Sequence, residues 1–508
     1  MTRSEIVPAV TIAAACLGCG SSDDTATEPG PDAPPLTEFE LPVSLPACDT
    51  SQSDVVLIEE ESDFERINEE GVRVFCVTPG DYRGLGSIRL ARNGTPEQPR
   101  VLRYYDPDDP ADRRHPVDQA EAERALLGSM RLTGAQHWIV DGLTFTGDWE
   151  RVLFERQPDE EWSVHNVLNR LLLESASIVI RDGCDDNAIQ NSVIRNAPKT
   201  PGSDRVCVVL SGSNDGAPVA IHGTRVVNNE IYDCTDSIQA WRVDGSENAI
   251  DFGGTVIDNN DLYQTDGMYT DCSGNLDPDG DCSCGENAID LKAAGSVPGG
   301  IVQVSNNRMW GFKPTDTACG GTGSGGAISV VHMTAEFTLY QGNVMWDGPR
   351  AMTFTTERHT AIDNVIWNIH RGDDDGTAIY PEGAHAEIYR NTIIDADRWV
   401  AAYGNEGDYR CNTLIDAGRH TAAGEGLQAE YNFYYGTDPW PEQGDHDVVH
   451  EQAADAAQTD LCFDVRPWTG PEQICIPTGK ATEESPHAGG CDPELGSRPD
   501  VGIHDERW

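Results

Sequence analysis

The sequence predicts an all-β chain wound as a single parallel β-solenoid of three-strand coils, and three observations predict it. First, a short pattern recurs between residues 178 and 415: Asn, any residue, then two bulky residues. It reads Asn191-Ser-Val-Ile, Asn229-Glu-Ile-Tyr, Asn260-Asp-Leu-Tyr, Asn307-Arg-Met-Trp, Asn343-Val-Met-Trp, Asn364-Val-Ile-Trp, Asn391-Thr-Ile-Ile and Asn412-Thr-Leu-Ile. Second, the intervals of 38, 31, 47, 36, 21, 27 and 21 residues have a floor of 21 with variable excess. That is a repeat with insertions at its turns, and no such unit can bury its apolar face alone. Third, the residues around each Asn are β-branched or aromatic and broken by Gly, Asn and Asp, with no 3.6-residue period. Stacking places the Asn residues in a column at one turn, where each side-chain amide bonds the next.

The elements follow in chain order. Arg3 precedes an apolar run from Ile6 to Cys16 of 11 residues, too short to span a bilayer and of the length of a signal-peptide core. The run ends in Ala13-Ala-Ala-Cys-Leu-Gly-Cys19-Gly-Ser-Ser, which resembles the lipobox of bacterial lipoproteins. Residues 1–19 are thus expected to be a lipoprotein signal, with Cys19 acylated and Cys16 its rival. The membrane is then reached only through acyl chains. Residues 20–50, rich in Ser, Asp, Pro and Thr, are expected to be a flexible tether. A short helix is expected at Ser62-Asp-Phe-Glu-Arg-Ile, where Ser62 and Glu65 have capping-box spacing and the open end of the solenoid needs a cover.

Strands begin at Val74 to Val77, and the coils occupy residues 51–435. After each Asn motif comes another strand: Ile238-Gln-Ala-Trp, Met268-Tyr-Thr-Asp, Ala351-Met-Thr-Phe, Ala378-Ile-Tyr-Pro and Val400-Ala-Ala-Tyr. Ala288-Ile-Asp-Leu-Lys292 and Ala327-Ile-Ser-Val-Val are the same strand displaced by insertions. Alternation sends Ile238, Met268, Ile289, Ile328, Met352 and Ile379 inward. It sends Gln239, Tyr269, Asp290, Ser329, Thr353 and Tyr380 outward, with Asp271, Lys292, Val331 and Glu382 two places on. Glu247-Asn-Ala-Ile-Asp251 repeats Glu286-Asn-Ala-Ile-Asp290 and competes for that register. Residues 436–508 lack the repeat and are expected to form a loop-rich cap.

Net charge is −51, from 86 acidic and 35 basic residues, which argues against nucleic acid and anionic membrane surfaces as partners. It suits calcium or a salty medium. Of 15 cysteines, 13 remain beyond Cys16 and Cys19, and export makes disulfides the expectation.

The repeat resembles the right-handed parallel β-helix proteins of the pectate-lyase-like superfamily. Three other stretches share the resemblance: Val72-Arg-Val-Phe-Cys-Val-Thr-Pro-Gly-Asp-Tyr-Arg, Gln136-His-Trp-Ile-Val-Asp-Gly-Leu-Thr-Phe, and Ser485-Pro-His-Ala-Gly followed by Asp500-Val-Gly-Ile. It covers roughly residues 51 to 508. It implies a single chain acting outside the cytoplasm on an acidic polysaccharide, although this fold hosts many functions.

Lysine is scarce: Lys199, Lys292, Lys313 and Lys480 are the full set, and Lys292 alone lies in a patterned strand. An ammonium among carboxylates is a poor base unless a cation offsets them. The arrangement resembles β-helical polysaccharide lyases, which use calcium to offset a uronate carboxylate and a Lys or Arg to remove the C5 proton. The resemblance makes Lys292 the base beside Asp290, with Asp271, Glu286 and Asp290 as calcium ligands. Asp277-Pro-Asp279-Gly-Asp281 is a further oxygen-rich loop suited to calcium. Tyr269, His332, Arg350 and Tyr380 are the expected substrate contacts. The acidic pair followed by lysine, and the Arg-His-Gly triplet of calcium-dependent lyases, are both absent.

Two other classes stay open. Paired carboxylates drawn from Asp251, Asp266, Asp271 and Asp290 suit a glycoside hydrolase. Exposed Trp241, Tyr269, Tyr380 and Trp399 suit a non-catalytic glycan-binding solenoid. Trp310, Trp346 and Trp367 follow the Asn column and read as packing residues. The bland alternative for Lys292 is a surface ion pair of little consequence.

Overall fold

The chain is wound as a parallel β-helix. The computed structural model describes residues 41, 44–109, 114–157, 162–181, 183–195, 206–212, 220–242, 251–268, 285–292, 300–313, 327–331, 337–355, 358–371, 376–382, 386–403, 407–423, 427–430, 432–435, 448–450, 460–464 and 473–477. Residues 37–508 form one compact unit.

A representative coil consists of Val256–Asp258, Asp261–Tyr263 and Asn287–Leu291, each paired in parallel with its counterparts above and below. First strands from Val55–Ile58 to Leu427–Glu430 make one sheet of 14 parallel strands. Second and third strands stack in the same way. Side chains in register fill the tube. Val226, Ile257, Val304 and Tyr340 line the first column, Ile231, Leu262, Met309 and Met345 the second, and Ile238, Ile289, Ser329 and Met352 the third. None is more than 1% exposed. Each buried aliphatic contributes roughly 1.5–3 kcal/mol, offset by the cost of ordering its coil.

The Asn column forms. Asn229, Asn260, Asn307, Asn343, Asn364, Asn391, Asn412 and Asn432 each have 0% exposure. From Asn229 onward every Nδ2 donates to the next Oδ1 at 2.9–3.1 Å. The second Nδ2 hydrogen goes to a backbone carbonyl near the preceding coil, as Asn343 to Val304 at 2.8 Å. Each backbone N–H also donates to the next Oδ1, so every polar atom of the amide is satisfied in a dry interior.

The expected first member, Asn191, is a register correction. Val193 pairs with Glu230 and Ile194 with Ile231, so Ser192 occupies the ladder position. The Ser192 N–H donates to Asn229 Oδ1 at 3.0 Å. Asn191 instead stands in the preceding turn column with Asn228, Asn259 and Asn306, all left-handed at φ 52–57°. Asn and Gly take that conformation cheaply, and Gly342 fills the same place one coil on.

The N-terminal helix is present as a 3-10 segment, Glu61–Asn68, with Phe64 and Ile67 buried. The Ser62–Glu65 box is not its cap. Asp63 Oδ2 instead accepts from the Glu59 and Glu60 N–H groups at 2.9 and 3.0 Å. Ahead of it, Leu41, Leu45 and Cys48 pack on the outer valines of the first sheet, and a Cys48–Cys76 disulfide fastens that segment. A second disulfide, Cys207–Cys234, joins consecutive coils, and Cys411 is also disulfide-bonded. At the C-terminal end Val448–His450 continues the stack, and Asp460–Asp464 pairs antiparallel with Gln473–Pro477.

Candidate functional site

The third column presents the chemistry. Asp236–Arg242 stacks directly on Asn287–Leu291, pairing Ile238 with Ile289 and Gln239 with Asp290. That pairing assigns the register of the 247–292 region. Residues 266–268 form a 3-10 turn inside the insertion, so Met268 is not a third-column strand residue. A second correction concerns the next coil. Ser329, not Ile328, pairs with Ile289, and its hydroxyl lies 2.7 Å from the buried Tyr340 hydroxyl. An inward Ser is tolerated because that tyrosine meets it. Burial pushes the Tyr340 phenol up, against the Ser329 hydrogen bond and with the help of the Asp290 charge.

Asp290 is 2% exposed and Gln239 4%, so the outward face is roofed at this point. Lys292 Nζ lies 3.2 Å from Asp290 Oδ2, with 34% of the lysine side chain exposed against 3% of the aspartate. Gln239 Nε2 donates to the same Asp290 oxygen at 3.1 Å and to Asp236 Oδ2 at 2.9 Å. Asp236 is itself 1% exposed. The result is a continuous chain of polar groups, Asp236, Gln239, Asp290 and Lys292, with only the ammonium reaching solvent. Strand pairing predicts the Asp290–Lys292 contact, since both lie two residues apart on one face. Asp236 and Gln239 are missed as a unit, because the contact closes only across a coil boundary 51 residues long.

Further along the same face, Arg350 lies over the Tyr380 ring, 4.4 Å from its centroid. Thr353 pairs with Tyr380 and Arg350 with Thr377, two and three coils beyond Gln239's neighbour Asp290. Tyr269, His332, Asp271, Asp277, Asp279, Asp281 and Cys19 lie outside the described residues. Glu286 is partly buried at the other end of the Lys292 strand, its N–H bonded to Thr235 O at 2.6 Å.

The described residues do not fit calcium. The Gln239 amide donates into the space between Asp236 and Asp290, and an N–H there repels a cation. Among the described residues no group of three His, Cys, Asp or Glu side chains is placed to hold a metal.

Of the carboxylates expected to pair for hydrolysis, Asp251 and Asp266 lie apart from Asp290, and Asp271 lies outside the described residues. Asp266 is on the 3-10 turn after the second strand, bonded to Lys313 at 2.8 Å. Asp251 is in the turn before Val256–Asp258, beside His222 at 3.2 Å. Trp399, expected to be exposed, is 1% exposed and packs edge-on against Tyr409 and Tyr434. Tyr232, Tyr263, Trp310 and Trp346 form a continuous stack on the outer face of the second column, with centroids 4.4–4.8 Å apart and planes within 8°. Tyr263 and Trp310, inside that stack, have both faces covered by neighbouring rings, so they pack the wall and offer no platform to a sugar.

No protein-family model matches the chain, and no curated protein matches it. Solved structures resemble it in outline. The catalytic unit of a GH87 α-1,3-glucanase from Streptomyces thermodiastaticus aligns at TM-score 0.44 and 13% identity over 75% of this chain. This chain spans 63% of that one. A mannuronic-acid-specific family 6 polysaccharide lyase from human gut microbiota aligns at TM-score 0.43 and 9% identity, over 78% of this chain and 82% of its own. The tailspike of E. coli bacteriophage HK620, solved with a pentasaccharide, aligns at 0.35 and 9%, over 82% of each chain.

Proposed function

We propose that the face around Lys292 binds an acidic polysaccharide and cleaves it by β-elimination, with Lys292 as the base. The observation that carries this reading is the single solvent-reaching ammonium anchored 3.2 Å from a buried carboxylate. A surface pair of two exposed groups would be inconsequential, but here one partner is withdrawn from water and held from behind.

Asp290, 3.2 Å from the ammonium, is the group placed to take the lysine proton once substrate closes over the site. The free amine then removes the proton at C5 of a uronate. The electron pair forms the C4–C5 double bond, the C4–O glycosidic bond breaks, and the departing oxygen takes a proton from solvent. Arg350, on the strand two coils beyond Asp290 and steadied by Tyr380, suits a substrate carboxylate further along the chain.

The disulfides suit an oxidising, extracytoplasmic compartment. We extend this to a bacterial lipoprotein held by Cys19 at the outer membrane, the cell surface or the periplasmic face, acting as a monomer.

The test is incubation with a panel of uronic-acid polymers. A rising ultraviolet absorbance from an unsaturated product supports the reading. New reducing ends without that absorbance indicate hydrolysis, and retention of the polymer without cleavage indicates a binding module. Either result overturns elimination.

A further inference from the structure

We propose that Gln239 is a positioning residue, and that Asp236, Gln239 and Asp290 form one built-in bracket whose task is to aim Lys292; the inference rests on the elimination reading but not on its substrate. One carboxamide nitrogen has two hydrogens, and here each meets a different carboxylate, at 2.9 Å on Asp236 and 3.1 Å on Asp290. All three side chains are at least 96% buried. Two buried carboxylates drawn to a single neutral donor are costly to assemble, and the Lys292 charge stands at the open end of the pair. The residue that pairs with Gln239 in the coil before is Val209, so the strand itself does not call for an amide at this place. The Asp290 oxygen that takes the Gln239 hydrogen bond is the same one that faces Lys292. Rotation of the Asp290 carboxylate is thereby restrained, and with it the direction in which the ammonium extends. A structural bracket would serve equally well with Lys292 absent; a positioning bracket acts through it.

Two variants and one lysine-directed probe test this. The chain has four lysines, so peptide mapping after brief acylation by a water-soluble anhydride reports each amine separately. Gln239→Leu removes both hydrogen bonds at similar volume. Asp236→Asn keeps an oxygen for Gln239 to bond and serves as the conservative counterpart should the first variant fold poorly. Gln239→Leu is expected to raise acylation at Lys292 severalfold while leaving Lys313 unchanged. Asp236→Asn is expected to leave both near wild type. On any polymer that the wild type cleaves, Gln239→Leu should lower kcat by about 10-fold or more with KM within about twofold, the signature of a misplaced base. Unchanged Lys292 labelling in folded Gln239→Leu overturns the positioning role. Altered labelling in a protein that cleaves no uronate polymer leaves the bracket standing and removes the elimination reading instead. Equal loss of labelling specificity in Asp236→Asn shows a general loosening of the strand and also overturns the proposal.

Discussion

Replacing Asn343 by Leu tests whether the Asn column bears the stack. The side chain sits mid-ladder at 0% exposure, and Leu is close to it in volume. Four hydrogen bonds are lost: two accepted by Oδ1 from Asn307, from its N–H and its Nδ2, both at 3.0 Å, and two donated, to Val304 O at 2.8 Å and Asn364 Oδ1 at 2.9 Å. The Asn364 oxygen keeps one partner, because the backbone N–H of position 343 still reaches it. Two groups are therefore orphaned, the Asn307 N–H and one Asn307 Nδ2 hydrogen, while the Val304 carbonyl, in register with Tyr340, keeps its place in the strand ladder. Each buried orphan costs about 1–3 kcal/mol, so the expected loss is about 2–6 kcal/mol. That is a large part of the stability of an ordinary domain. Urea unfolding followed by far-ultraviolet circular dichroism reads it directly. Gln98→Ala is the control: that Gln is exposed in the turn before the Arg100–Tyr104 strand. It should cost no more than about 0.5 kcal/mol. If Asn343→Leu falls within about 1 kcal/mol of wild type, the ladder is ornament and the stability lies in the apolar filling alone.

Trp310→Ala should cost about 3 kcal/mol, the low end for a Trp truncation since the ring is only partly buried, and should leave glycan binding unchanged; calorimetry with and without polymer separates the two effects. His115, bonded through Nε2 to Asn191 O at 3.0 Å, is pushed down to about 3 by burial. Because its folded value lies below the unfolded 6.5, its contribution is present above pH 6.5 and is lost as pH falls toward 3, at about 1.4 kcal/mol per unit. His115→Gln should therefore flatten the acid limb of the stability profile. His370 behaves oppositely: burial lowers it, but its hydrogen bond to Asp397 at 2.7 Å and the Asp395 and Asp397 charges raise it overall. Its stabilisation is full below the unfolded value near 6.5 and disappears as pH rises through the raised folded value, so Asp397→Asn should remove that alkaline-side loss.

The stack was legible because an Asn buried in a tube has few ways to satisfy four hydrogen-bonding groups, and repetition is the one that leaves a trace in sequence. The same logic explains the slip at Asn191: a Ser can hold a ladder position, and Asn is also the favoured residue in the adjoining left-handed turn. Period-2 alternation cannot choose between Ile328 and Ser329, both buried, when an insertion hides where the strand begins. It likewise places Met268 in the third column, since an insertion of such length obscures which apolar run follows the second strand. Asp290 and Lys292 could be seen together because two residues on one strand share a face. Asp236 and Gln239 could not be joined to them, because that contact depends on which distant strand lies above. Alternation also fails at Trp399, which is buried where the pairing with the next coil shifts register between Arg398 and Ala401.

The central claim is that Lys292 is the base of an elimination reaction. Lys292→Met keeps the stem and removes the amine, so the most direct measurement is the rate of unsaturated-product formation by this variant on a polymer that the wild type cleaves. The account predicts loss of product with the unfolding midpoint preserved, since the ammonium is the solvent-reaching end of the bracket. Turnover equal to wild type in a folded Lys292→Met protein would contradict it.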